Sequence, residues 1–249
     1  MENPLISSAR VVDGPPDIAS PGDEIVIVNA VNVDGVGLTI PKALPGLTDY
    51  VAAANAEERA NELRPRLTQG LDPKGGSLPY QPDAELVFEY LGAATAAAGS
   101  AVVGLEAFAN HHVARFVAPP SFDENGDEVG PTPTIQFVGN TRSFRELVDI
   151  SLNERYADVL PVLLDKPSPT SEPWWPVLRR IQGIAALDRH GVIGAVARKG
   201  LEGKKQLVQR LCDREYRGAS QMMLAVFEYF APGWIDPERM AALPSPSEN

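Results

Sequence analysis

At 249 residues the chain is long enough to bury a substantial core, as one large domain or as one domain with an elaborated end. A single cysteine, Cys212, excludes an intramolecular disulfide, and a net charge of −11 argues against nonspecific nucleic-acid binding over the whole surface. The opening MENPLISSARVVDG has no basic segment followed by an apolar run; it does not read as a secretory signal, and a cytoplasmic protein is expected.

Residues 1–22 are rich in Pro, Gly and Asp and read as an irregular arm. EIVIVNAVNV (24–33) is β-branched and apolar, Asp34-Gly35 is a turn pair, and VGLTI (36–40) returns as a second strand, so a β-hairpin is expected. TDYVAAANAEERANEL (48–63) reads as a short helix capped by Thr48 or Asp49 and stopped before Pro65. A Pro/Gly-rich connection fills 65–82.

Residues 83–118 read as one long helix, about 50 Å at 1.5 Å per residue, with Asp83 capping its first turn. Val87, Leu91, Ala94, Ala98, Ala101, Leu105, Phe108 and His112 follow gaps of four and three, which holds one face toward a partner throughout. Gly92 and Gly99, with Ala96 between them, occupy a second face. Interior glycines cost about 1 kcal/mol against alanine, so close approach of another backbone is expected there. The charge-free run 90–105 is shorter than a bilayer requires and reads as the core of a soluble bundle.

An irregular hairpin is expected around Asn125-Gly126, within 117–138, followed by a short helix at SFRELVDI. SLNERYADVLPVLL (151–164) opens with a capping box from Ser151 to Glu154, and Pro161 should kink or end that helix. KPSPTSEP (166–173) reads as a linker, and 174–193 regains helical spacing through Trp175, Leu178, Ile181, Ile184 and Leu187. A Gly/Lys-rich loop is expected over about 194–206. A last helix at 216–230 should bury Met222, Met223, Val226, Phe227 and Phe230, ahead of a Pro-rich mobile tail.

These elements define a mainly α fold. A helical bundle surrounds one long central helix at about 83–118, with a small N-terminal β-hairpin and a second hairpin near 117–138. Three segments follow: 1–82, an arm, hairpin and short helix packed on the bundle; 83–234, the bundle; and 235–249, the tail.

Charge is uneven. From 172 to 217 ten Lys/Arg face five acids, a local +5 that leaves −16 on the remainder. Arg179, Arg180, Arg189, Arg198, Lys199, Lys204 and Lys205 form the candidate anion-binding set, against the simpler reading of a solvated face paired with acidic neighbours. RKGLEGKK fails as a phosphate loop because Arg198 stands at the first glycine and Lys205 at the Ser/Thr; its Gly200-Leu201-Glu202-Gly203 reads as surface loop rather than a nucleic-acid clamp. Asp123, Asn125 and Asp127 begin like a calcium loop, but Glu128 stands at the required glycine.

His111 and His112 point about 100° apart on a helix and do not readily share one metal. His112 is expected as a hydrogen-bonded interior residue and His111 at the rim. Glu106 and Asn110 lie one turn apart beside the small-residue seam and are expected to cross-link helices or bind a buried backbone group. A small-molecule or metal pocket at Glu106, Asn110, His111 and His190 is the alternative. Neither a cofactor nor a metal is expected, since the chain has no cysteine cluster and no H-E-x-x-H.

SAVVGLEAFANHHV on the long helix, SLNERYADVLPVLL, the tryptophan-led WWPVLRRIQGIAALDRHGVIG and the final ASQMMLAVFEYF together resemble the HEPN-like helical superfamily over residues 88–234. Small families of bacterial helical proteins share this order. The resemblance implies a helical bundle, frequent homodimers and often metal-independent RNA cleavage. The family's signature is Arg, four to six residues, then His: the histidine moves the ribose 2′-hydroxyl proton and the arginine stabilises phosphorane charge. Laid over that ending, ALDRHGVIG puts Asp188 at the arginine and Ile193 at the histidine. The fold carries over and the nuclease does not.

The expected protein is therefore a non-catalytic HEPN-like binder of protein or RNA, homo-oligomeric and free of membranes. The rival is a divergent ribonuclease using His190 with Arg180 or Arg189.

Overall fold

Helix α2 (Ala84–Ala114) touches almost every other helix, and its sequence explains why. Asp83 caps it, its side chain accepting from the Glu85 amide at 2.9 Å. Ala94, Ala98, Ala101, Leu105, Phe108 and His112 of the apolar stripe are buried, and Val87 and Leu91 are half-buried. The structure is a computed structural model that describes residues 8–10, 24–26, 28–33, 36–41, 44–68, 83–122, 128–129, 132–193 and 198–235; for 8–41, 122, 128–129, 189–193 and 198–201 it describes the backbone alone. The tail from 236, the connection at 69–82 and the acidic turn at 123–127 with its Asp123, Asn125 and Asp127 lie outside the described residues.

The largest contact on α2 is α1 (Leu47–Thr68). Leu47, Ala53, Ala60 and Leu63 enter the same core as the α2 alanines. Small side chains on both helices let the backbones close up, and the limit is reached at two glycines. A methyl group at Gly104 would lie 2.5 Å from Met223 Cε and 2.8 Å from Asp49 Cβ. One at Gly46, whose φ is +82°, would lie 2.5 Å from the Gly104 carbonyl oxygen. Close approach therefore occurs at Gly104 and not at the expected Gly92 and Gly99, where an added Cβ meets nothing within 4 Å.

Helix α1 also runs through Pro65 rather than stopping before it. Leu67 continues the apolar face, and Arg64 donates to the Cys212 carbonyl at 2.7 Å, which holds the last turn in place.

Among the described residues the β-ladders are all antiparallel pairs: β1 (Ser8–Arg10) with β2 (Glu24–Val26), β3 (Val28–Val33) with β4 (Val36–Pro41), β5 (Ser121–Phe122) with β6 (Glu128–Val129), and β7 (Thr134–Phe137) with β8 (Asn140–Ser143). The β3–β4 hairpin is the expected one, closing with Val33 opposite Val36. The β5–β6 pair flanks the Asn125-Gly126 position as anticipated. Two ladders add to the reading: β1 gives part of the arm a strand, and β7–β8 follows the hairpin that was foreseen. The β7–β8 turn is Val138-Gly139, with φ of +46° and +77°.

Beyond it, α3 (Phe144–Val148) and α4 (Leu152–Glu154) each begin with a complete capping box, Ser143–Glu146 and Ser151–Glu154. A π-turn, Arg155–Val159, follows, and then α5 (Leu160–Leu163). Pro161 is accommodated by this widened turn: the Leu160 amide reaches back five residues to the Arg155 carbonyl.

Helices α6 (Trp175–Ile193), α7 (Arg198–Cys212) and α8 (Ala219–Phe230) complete the bundle. The predicted Gly/Lys-rich loop is largely α7. Leu207 and Leu211 pack its inner side, and Arg210 donates to the Arg180 carbonyl of α6 at 3.0 Å. Helix α8 buries Met222, Met223, Val226, Phe227 and Phe230 as expected. Glu57 of α1 caps it, accepting from the Gly218 amide at 2.6 Å and the Ser220 amide at 3.2 Å.

Candidate functional site

The C-terminal half of α2 carries Glu106, Asn110, His111 and His112 within two turns, and the π-turn delivers a buried arginine to the same place. Arg155 is 6% exposed. Its guanidinium donates to Asn110 Oδ1 at 2.8 Å, while its Nε has no partner among the described residues. Burial pushes the Arg155 pKa down, and the Glu106 carboxylate works against that shift by favouring the charged form. Next to it the fully buried Tyr156 donates to the Leu105 carbonyl at 2.9 Å. Burial drives that phenol's pKa upward, so it stays protonated. Asn110 thus cross-links α2 to the turn before α5, the first of the two roles expected of the seam, with Glu106 acting on Arg155 through its charge.

Arg155 was not among the residues singled out from sequence. A signal was present: it falls between Leu152, Tyr156 and Val159, on the buried side of its segment, where an arginine is rare without a partner.

His112 sits one turn below, 1% exposed. Its ring stacks 4.4 Å from Phe108 and 5.2 Å from Trp234, with His111 5.4 Å away. The interior position is as expected; the hydrogen bond is not. Neither ring nitrogen has a partner among the described residues, and Trp234 Nε1 is also buried without one. Desolvation, reinforced by His111 and Arg115, lowers the His112 pKa to about 4. The ring is therefore neutral at pH 7 and closed off by aromatic packing. Half-buried His111 lies at the rim, 5.2 Å from Trp234. Among the described residues no three His, Cys, Asp or Glu side chains converge to hold a metal ion.

The basic set divides. Arg180 is turned inward: its Nε donates to the Glu215 carbonyl at 2.8 Å and its Nη2 to the Arg217 carbonyl at 2.9 Å. Arg210 joins the same joint, 2.6 Å from Glu215. Those arginines tie α6 to the α7–α8 turn. Arg179, Lys204 and Lys205 are exposed. Arg189 and His190 lie on α6, and Arg198 and Lys199 on α7; their side chains are outside the described residues.

Among the described residues one face of α2 is exposed. Phe88 is 73% exposed and Val103 44%, with Gly92 and Ala96 also exposed and Gly99 half-buried between them. By length and composition α2 could cross a membrane, and 33% of its most apolar window is buried by the bundle. No family model, curated protein or solved structure matches the chain.

Proposed function

We propose that this is a non-catalytic, cytoplasmic HEPN-like helical protein that acts by binding protein, as a homodimer and without a membrane. The observation that carries the reading is the open face of α2. A helix surface without a charged residue from 90 to 103, ending in the exposed Phe88 and Val103, fits a partner. Its pattern suits a second copy. Phe88 and Val103 are equidistant from the point between Thr95 and Ala96, and so are Gly92 and Gly99. An antiparallel two-fold pairing sets Phe88 against Val103 and Gly92 against Gly99, large against medium and small against small. Glycine at both crossing points lets the two backbones approach, the role the sequence assigns to Gly92 and Gly99.

The non-catalytic part rests on how the polar groups are used. Arg155 and His112 are sealed in the core, and Arg180 is committed to two carbonyls. RNA binding through Arg179, Lys204 and Lys205 with Arg189, Arg198 and Lys199 is the second reading, favoured by the exposure of the first three. A ribonuclease using His190 with Arg189 or Arg180 is the rival; a small-molecule pocket at Glu106, Asn110 and His111 is the least supported, since Asn110 already accepts from Arg155.

Light scattering on purified protein tests the proposal. The expected mass is twice the 26.8 kDa of the chain, with an absorbance ratio free of nucleic acid, and Ala96→Arg should return it to one chain mass. A wild-type monomer overturns the homodimer, co-purified nucleic acid favours the RNA reading, and RNA cleavage abolished by His190→Ala establishes the rival.

A further inference from the structure

On the side of the bundle where β7–β8 meets the π-turn, two adjoining hollows share Phe137, Val138 and Asp158. One, of about 280 Å³, lies toward Leu147, Ile150 and Val159; the other, of about 730 Å³, toward Ala157, Pro161 and Val162. Val138 at their junction is 69% exposed, and Val162 in the larger hollow 54%.

Val138 is the more telling. It occupies the first position of a two-residue turn with φ of +46°, where Asn, Asp or Gly fit and a β-branched side chain is strained. The turn would be better made by another residue, and the strained conformation presents the isopropyl group at the lip of both hollows.

The rim is acidic. Glu154, Asp158 and Asp165 face the hollows with Lys166 the opposing cation, while Arg142 and Glu146 pair with each other at 3.6 Å. The walls are fixed. Ser168 donates to the Ala157 carbonyl at 2.9 Å, and Tyr229 to the Pro167 carbonyl at 2.9 Å. Beside the hollows stands a two-stranded ladder whose outer edges pair with no other strand among the described residues.

We infer that this groove is a docking site for an extended, basic segment of a partner protein, one carrying an apolar side chain between Lys or Arg residues. The apolar anchor seats against Val138, Phe137 and Val162. The flanking cations meet Asp158, Asp165 and Glu154, and the segment's backbone has a free strand edge to pair with. The groove is separate from the α2 face, so its fate is independent of the homodimer.

The probe is a set of fluorescein-labelled peptides of about a dozen residues in a Gly/Ser background, with a central Leu or Phe flanked by Lys. Controls replace the apolar residue by Ser or the Lys by Glu. Fluorescence anisotropy with the full chain should show the basic apolar peptide binding with affinity that falls as salt rises. Asp158→Lys should weaken it about tenfold, and Val162→Ser several-fold, at unchanged thermal midpoint. Val138→Gly gives the separating result: lower affinity together with a higher thermal midpoint, because glycine accepts the turn geometry. Equal binding of the Ser control, undiminished binding by Asp158→Lys, or no binding at about 1 mM peptide overturns the proposal. So does a fall in the protein's own mass on Asp158→Lys, which would mean that a second copy fills the groove.

Discussion

The two sides of α2 are built from the same small residues and meet opposite fates. On one side Ala94, Ala97, Ala98, Ala101 and Gly104 are buried against α1 and α8, so tightly that a single methyl at Gly104 has no space. On the other, Gly92, Ala96 and Gly99 run between an exposed Phe88 and Val103, and an added Cβ at either glycine meets nothing. Small side chains therefore mark where a backbone is able to approach. Whether one does depends on where the large side chains of the same turn go. The inner side is completed by Tyr90, Leu105 and Phe108 from α2 itself, and the outer side keeps Phe88 and Val103 exposed.

The largest effect expected from breaking the packed side is at its polar anchor. Arg155→Ala removes the buried partner of Asn110 and leaves a cavity where the guanidinium stem packed; the expected cost is about 3–5 kcal/mol in chemical unfolding. A milder loss would mean the guanidinium is not buried with these groups.

Next is acid. The folded state holds His112 near a pKa of about 4, below its ordinary 6.5, so the unfolded chain binds the extra proton between those values. Stability contributed by the neutral ring is full above about pH 6.5 and drains away as pH falls toward 4, by about 3 kcal/mol. His112→Leu should flatten that part of the stability–pH curve, and an unchanged curve would place the histidine in solvent.

Smaller again is Gly104→Ala, at about 2 kcal/mol of destabilisation, since Met223 is able to yield but Asp49 Cβ and the Gly46 carbonyl are anchored. The outer side should give the opposite sign. Gly92→Ala, measured at a dilution where the chain is monomeric, is expected to stabilise by about 0.5–1 kcal/mol through helix propensity alone.

Much of this architecture was legible in sequence. The stripe from Ala94 to His112, the caps at Asp83 and Ser151, and the buried face of α8 follow from spacing and capping chemistry, which act over a few residues. What stayed hidden depends on other parts of the chain. Two alternating gaps of three and four residues describe both sides of α2, so spacing placed the close approach at Gly92 and Gly99 rather than Gly104. The run RKGLEGKK reads as loop because its glycines and lysines carry no apolar face; the helix is held from further along, by Leu207, Leu211 and the Arg210 bond to α6. Similarly, Arg180 looks like a surface cation until the α7–α8 turn brings two carbonyls to it. The site was half visible: Glu106 and Asn110 announced a polar seam, but its cation, Arg155, comes from a turn 45 residues on.

The claim that the open side of α2 faces a second copy is tested most directly by a cysteine at its centre. In a Cys212→Ser background, which removes the exposed native thiol, Ala96→Cys should form a disulfide-linked dimer under mild oxidation, because the two-fold pairing sets position 96 of each chain close to the axis. A chain that stays monomeric at the same concentration and oxidant contradicts the account.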